Sequence, residues 1–136
     1  VKLDEKETKS RMLLNLGHTF AHSIETELKY KVRHGEAVSI GLLMAMKLSF
    51  YFNYTSNKDF VLLEKHLYKC NLPTKLKHLS AKKKWSVNNL VRNMYLDKKV
   101  LKGKLRFILC KGIGKSFVKD DVKKNILKDI IKEFIN

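Results

Sequence analysis

The chain has 136 residues, enough for one domain with a modest core, and its 44% hydrophobic content places it in the globular class. Lys plus Arg (29) against Asp plus Glu (13) leaves a formal charge of +16, yet 25 of these bases are Lys, only 4 are Arg, and 9 Asn accompany them. Arginine is the side chain that reads bases and grips phosphate bidentately, so this composition speaks against sequence-specific nucleic-acid binding and for the codon bias of an AT-rich genome.

In chain order, a first helix is predicted from residues 7–10 to about Tyr30, with Glu early and Lys29 late as the helix dipole favours. At ~100° per residue, Glu7, Arg11, Asn15, His18, His22 and Glu25 share one stripe about 80° wide. Leu13, Leu14, Leu16, Phe20, Ile24 and Leu28 collect on the opposite side and supply the apolar face, so the core does not need the histidines. The plain reading of the polar stripe is a solvated helix face, but its groups are those that bind metal, hold anions and move protons. Gly17 falls within this helix, where it costs about 1 kcal/mol against Ala, and so predicts a close-packed neighbour. A turn over residues 31–33 then leads to His34-Gly35-Glu36, which can return a third imidazole to the stripe. His18 and His34 together make half of a zinc site, since zinc accepts neutral imidazoles and catalytic sites commonly use three protein ligands with an open position.

A second helix is predicted from Gly35 or Glu36 to about Asn53, apolar nearly all round and therefore central. It is interrupted by Lys47 and is too short to span a bilayer. Ala37, Gly41 and Ala45 recur every four positions and let another backbone approach. Asp59 is predicted to cap a third helix through Cys70 that stops before Pro73, and His66 and His78 read as ordinary solvated or packing histidines. Residues 82–84, all Lys, read as a solvated loop, and Ser86 as the cap of a short helix with Leu90, Val91 and Met94 inward. The alternation of Leu105, Phe107 and Leu109 predicts a strand, Gly112 and Gly114 a turn, and residues 122–134 a closing amphipathic helix. The fold class is thus mainly α with a small β-hairpin near residues 104–118. Cys70 and Cys110 lack CxxC spacing and fit a reducing compartment, and the charged first ten residues show no secretory pattern, so a cytoplasmic protein without a membrane partner is expected.

LNLGHTFAHSIE followed by RHGEAVSIGLLMA, with DEKET upstream and YLDKKVLKGKLRFIL downstream, resembles the carboxy-terminal domain of 3-dehydroquinate synthase, a sugar phosphate cyclase, from Asp4 essentially to the end. The resemblance implies a helical, metal- and substrate-binding domain over residues 1–136, preceded in the family by a nucleotide-binding domain absent from this sequence, and a homodimer. It implies His18 and His34 as ligands of zinc (or cobalt), completed by a glutamate that lies upstream of this chain. Arg11, Asn15, His34, Lys98 and Lys99 become substrate-binding residues for a phosphorylated sugar acid, Lys98 favoured over Lys99, and His22 and Glu7 take proton-transfer roles. The implied reaction closes 3-deoxy-D-arabino-heptulosonate 7-phosphate into 3-dehydroquinate with loss of phosphate, in aromatic amino acid biosynthesis. It uses NAD that is reduced and regenerated, held mainly by the absent domain. Ala21 and Ser23 depart from the family's usual GHTFGHAIE and put geometry rather than chemistry in question. No glycine-rich turn follows a strand, and Val1 is not an initiator methionine, so the chain is expected to be part of a larger enzyme and inactive by itself.

Other readings are a different sugar phosphate cyclase, a metal-dependent polyol dehydrogenase, a non-catalytic relic of the family, or a basic nucleic-acid-binding domain. For the last, Trp85 beside residues 82–84 is the one aromatic-basic signal, and no nucleic-acid partner is expected.

Overall fold

The computed structural model describes residues 16–96, 104–112 and 114–135. Glu7, Arg11, Asn15, Lys98 and Lys99 lie outside the described residues, as does the expected start of the first helix. Among the described residues, five α-helices and one hairpin follow in order: α1 (His18–Glu27), α2 (His34–Tyr51), α3 (Asn57–Lys69), a short 3-10 turn (Leu76–His78), α4 (Val87–Leu96), β1 (Phe107–Cys110), β2 (Ser116–Lys119) and α5 (Lys124–Ile135). The mainly α fold with a small hairpin is as read from the sequence. No helix among the described residues is long and apolar enough to cross a membrane.

The central element is α2, which buries Ala37, Ile40, Leu43, Met44, Ala45 and Leu48 and is packed by α1, α3, β1 and α5. Its contact with α1 is backbone on backbone. A Cβ on Gly17 would lie 2.5 Å from the carbonyl carbon of Gly41, and one on Gly41 would collide with the Gly17 carbonyl oxygen. The neighbour expected beside Gly17 is therefore Gly41, in the small-residue stripe of α2. Gly17 itself is not inside a helix. With φ at +78° it is the left-handed residue from which α1 starts, so the predicted continuous helix is interrupted there.

α1 also ends earlier than expected, because Lys29 turns left-handed (φ 53°) and the Tyr30 and Lys29 amides close back on the Glu25 and Thr26 carbonyls. This is a Schellman closure, which satisfies carbonyls the helix leaves open. Asn53 and Asn71 end α2 and α3 in the same way. The cap of α3 is Ser56 rather than Asp59: the Ser56 hydroxyl accepts the Asp59 amide at 3.2 Å, and the Asp59 carboxylate accepts the Thr55 hydroxyl at 2.7 Å. Ser86 caps α4 as expected, accepting the Asn89 amide at 3.2 Å.

The hairpin pairs Phe107 with Lys119 through Cys110 with Ser116, and all four residues of β1 are buried. Ser49 of α2 fixes it, accepting the Cys110 amide at 3.0 Å while donating to the Ala45 carbonyl at 2.7 Å, and Phe107 meets Phe20 of α1 with centroids 5.1 Å apart. Ser23 of α1 donates to the Leu90 carbonyl of α4 at 2.5 Å. Asn93 of α4 donates to the Ser23 carbonyl at 3.3 Å and to Glu27 Oε1 at 3.2 Å. The core thus sets three walls around α1, on α2, α4 and β1, and leaves one side of α1 for the histidines.

A candidate metal and substrate site

The amphipathic register of α1 places Phe20 and Ile24 inward with Ala21 against α2, and His18 and His22, one turn apart, share the remaining side. Their ring centroids are 5.9 Å apart. The turn after α1 brings the chain back so that His34 opens α2, and its ring meets His18 edge-on with centroids 5.6 Å apart. The return of a third imidazole to the stripe, expected from the sequence, is therefore present, and helix α2 begins at His34 itself rather than one or two residues later.

Sequence reasoning gave Glu25 no role beyond membership of the stripe. In the structure its Oε2 lies 3.0 Å from His34 Nδ1, with the carboxylate 11% exposed against 58% for the imidazole. The signal was present in the spacing, since Glu25 follows His22 by three residues on the same face; what the sequence could not show was that α2 would start beneath it. Thr19, between His18 and His22, donates to the Arg106 carbonyl at 2.9 Å and ties the start of α1 to the segment entering β1.

Among the described residues no three His, Cys, Asp or Glu side chains converge as a complete metal set. What is present is two imidazoles from successive helices, one with its Nδ1 engaged by a carboxylate. This fits the donor chemistry of zinc or cobalt as part of a ligand set, because a ligating histidine commonly gives its second nitrogen to a carboxylate. His66 and His78 stand apart from this group. His66 is exposed with Nε2 3.9 Å from Cys70 Sγ, and His78 Nδ1 accepts the amides of Thr74 and Lys75, each at 3.2 Å. The run of residues 82–84 is not wholly solvated: Lys83 turns inward to Glu27 Oε2 at 3.3 Å.

Known structures share this architecture. A 2-deoxy-scyllo-inosose synthase complexed with carbaglucose-6-phosphate, NAD+ and Co2+ superposes with a TM-score of 0.75 at 25% identity, over 97% of this chain and 36% of its own. A 2-epi-5-epi-valiolone synthase from Streptomyces hygroscopicus subsp. jinggangensis, with NAD+ and Zn2+ bound, gives 0.73 at 18% identity, over 88% of this chain and 32% of its own. The fold is that of the sugar phosphate cyclases.

Sequence relatives narrow the class. The chain is 44% identical over 125 residues to a 3-dehydroquinate synthase of Rhizobium etli, and 45% identical over 125 residues to one of Agrobacterium fabrum. Each match covers 90% of this chain and 33% of the relative, so the chain spans about a third of the length of these curated relatives. The sequence model described as 3-dehydroquinate synthase C-terminal matches residues 1–100, and the chain belongs to that family.

Proposed function

We propose that this chain is the carboxy-terminal, metal- and substrate-binding part of a 3-dehydroquinate synthase, which closes 3-deoxy-D-arabino-heptulosonate 7-phosphate into 3-dehydroquinate with loss of phosphate. The observation that carries this reading is the convergence of His18 and His34 from consecutive helices, with Glu25 on His34, in a member of that family. His18 and His34 would hold the divalent ion, zinc or cobalt, with a further donor from outside this chain. When bound, such an ion supplies Lewis acidity at a substrate oxygen. His22, one turn beyond His18, takes up and returns protons, and Glu7 shares that task. Arg11 and Asn15 hold the anionic groups of the substrate, the guanidinium by paired N–H donors, and Lys98, ahead of Lys99, adds a point charge. NAD binding is assigned mainly to the part of a longer protein that this chain, spanning about a third of its curated relatives, does not cover.

Two experiments test the reading. In the full-length protein, His18→Ala and His34→Ala are each expected to lower bound zinc and to abolish phosphate release; both variants keeping one zinc per chain would refute the site. The likeness to 2-deoxy-scyllo-inosose synthase supports a second reading, a different sugar phosphate cyclase. Arg11→Met separates the two: if Arg11 holds the substrate carboxylate, the change raises KM for the heptulosonate steeply, whereas a cyclase whose sugar phosphate bears no carboxylate shows little change in KM for its own substrate.

A further inference from the structure

We infer that Glu25 is a positioning residue that fixes the orientation and tautomer of His34, with the proton on Nδ1 and Nε2 left as the nitrogen offered to a metal. Glu25 is 8% exposed, and it is the one charged residue among the buried side chains of the described residues. Burying a carboxylate costs free energy unless a partner compensates, and His34 Nδ1 at 3.0 Å is that partner. An ionised carboxylate only accepts hydrogen bonds, so the shared proton resides on the ring nitrogen that faces it.

The geometry also shows why such a brace is needed. His34 is the first residue of α2, its side chain is 58% exposed, and among the described residues its ring also meets the edge of the His18 ring. Without Glu25 the ring could turn about its side-chain torsions and present either nitrogen. Glu25 is anchored: it lies in the last turn of α1, beside Ile24, and its own carbonyl accepts the Tyr30 amide of the helix closure at 2.8 Å. The same closure that ends α1 thus sets the carboxylate and leads the chain back to the imidazole it holds. The competing view is an ordinary ion pair with a doubly protonated His34, which is worth little at a half-exposed site and leaves no lone pair for a metal. The metal part of the inference rests on the functional reading above; the tautomer does not.

The test uses the full-length, metal-free protein with 15N-labelled histidine at about pH 8, above the ordinary imidazole range. The His34 signals, assigned by their loss in His34→Asn, are expected to show a neutral ring protonated at Nδ1. In Glu25→Ala they shift toward the Nε2-protonated form, and zinc affinity, measured by chelator competition, falls by about 10- to 100-fold. Glu25→Gln keeps the shape and an acceptor oxygen, so it folds if Glu25→Ala does not; it is expected to keep the tautomer and to lose zinc affinity severalfold, through the missing charge. A doubly protonated or Nε2-protonated His34 in the unaltered protein overturns the inference, as does undiminished zinc affinity in the Glu25 variants. His34→Ala separates the two levels. If it leaves zinc affinity unchanged, the metal site itself is wrong; if it weakens zinc while Glu25 variants do not, only the role of Glu25 falls.

Discussion

Replacing Gly17 by Ala is expected to weaken the fold by several kcal/mol and to disturb the His18–His34 pair with it. Two costs add. Gly17 sits at φ +78°, and holding an L-residue in the left-handed region costs roughly 1–2 kcal/mol. The new Cβ would lie 2.5 Å from the Gly41 carbonyl carbon and 2.6 Å from both the Gly41 oxygen and the Leu42 nitrogen. These are helix backbone atoms that cannot rotate aside, and ordinary carbon contacts are about 3.5–4 Å, so α1 and α2 must move apart by roughly 1 Å. Overpacking of this kind costs about 1–3 kcal/mol. The sum, about 2–5 kcal/mol, is a large part of the ~5–15 kcal/mol that holds a typical domain together. Gly17 immediately precedes His18, and Gly41 lies about two turns beyond His34 on α2, so the displacement reaches both imidazoles. Urea unfolding followed by helical circular dichroism measures the first effect and chelator competition for zinc the second. Gly35→Ala is the internal control: among the described residues nothing lies within 4 Å of a Cβ added there, its φ is not in the left-handed region, and it is expected to gain up to about 1 kcal/mol. A Gly17→Ala loss below about 1 kcal/mol, the centre of ordinary point-mutant effects, with zinc affinity unchanged, would refute the argument from close approach.

Ser23→Ala removes the bond from α1 to the Leu90 carbonyl and should cost about 0.5–1.5 kcal/mol in urea unfolding; no loss would mean that packing and the Asn93 bonds hold the α1–α4 contact without it. Lys29→Gly relieves a left-handed non-glycine residue at φ 53° and should raise the unfolding free energy by up to about 1 kcal/mol, and a fall in stability would contradict the helix-closure account. With an aromatic disulfide reagent near neutral pH, exposed Cys70 should react at once and buried Cys110 only on unfolding; two fast thiols in the native protein would show that the hairpin does not bury Cys110. Burial pushes the Cys110 thiol above its ordinary range. Its contribution to stability is therefore complete below the ordinary thiol pKa and is lost as pH rises through the folded value, because the unfolded thiol releases its proton first. Unfolding midpoints from neutral to alkaline pH should fall more steeply for the unaltered protein than for Cys110→Ala.

The sequence carried the helices wherever the apolar period was long, and it carried the meeting of His18, His22 and His34 because an i, i+4 pair and a turn into a central helix leave few other arrangements. It failed where one backbone angle decides the outcome. Gly17 belongs to the helical period, so a pattern reading runs through it, yet it starts α1 left-handed and against the Gly41 backbone, where no side chain fits. Asp59 and Ser56 are both good caps by composition, and the Ser56 hydroxyl prevails because it stands one residue before the first helical turn, where the Asp59 amide points back at it. Glu25 was legible as a member of the stripe but not as a partner of His34, since that pairing depends on where α1 stops, and Lys29 ends α1 in a conformation that lysine seldom adopts.

The net charge of +16 admits a similar argument about what is spent locally. Lys83, neighbour of the single tryptophan, would anchor any aromatic-basic surface, but its Nζ is held by Glu27 at 3.3 Å and lies 5.7 Å from the centre of the Trp85 ring. Glu27 in turn is fixed from its other oxygen by Asn93, so Lys83 completes a brace between α1, α4 and the loop joining the 3-10 turn to α4. Lys119 is committed in the same way, 2.9 Å from Asp121 and 4.5 Å from the centre of the Phe52 ring, and Lys47 lies 3.5 Å from Glu133 and 4.7 Å from the centre of Phe60. These lysines place their ammonium groups over aromatic rings and use their charge within the fold. Many of the other described lysines, Lys29, Lys31, Lys58 and Lys65 among them, are exposed, where salt screens their charge within about 10 Å at 0.1 M. Under the proposed function such a surface would steer a phosphorylated acid without holding it, so raising ionic strength should depress kcat/KM of the full-length protein far more than kcat.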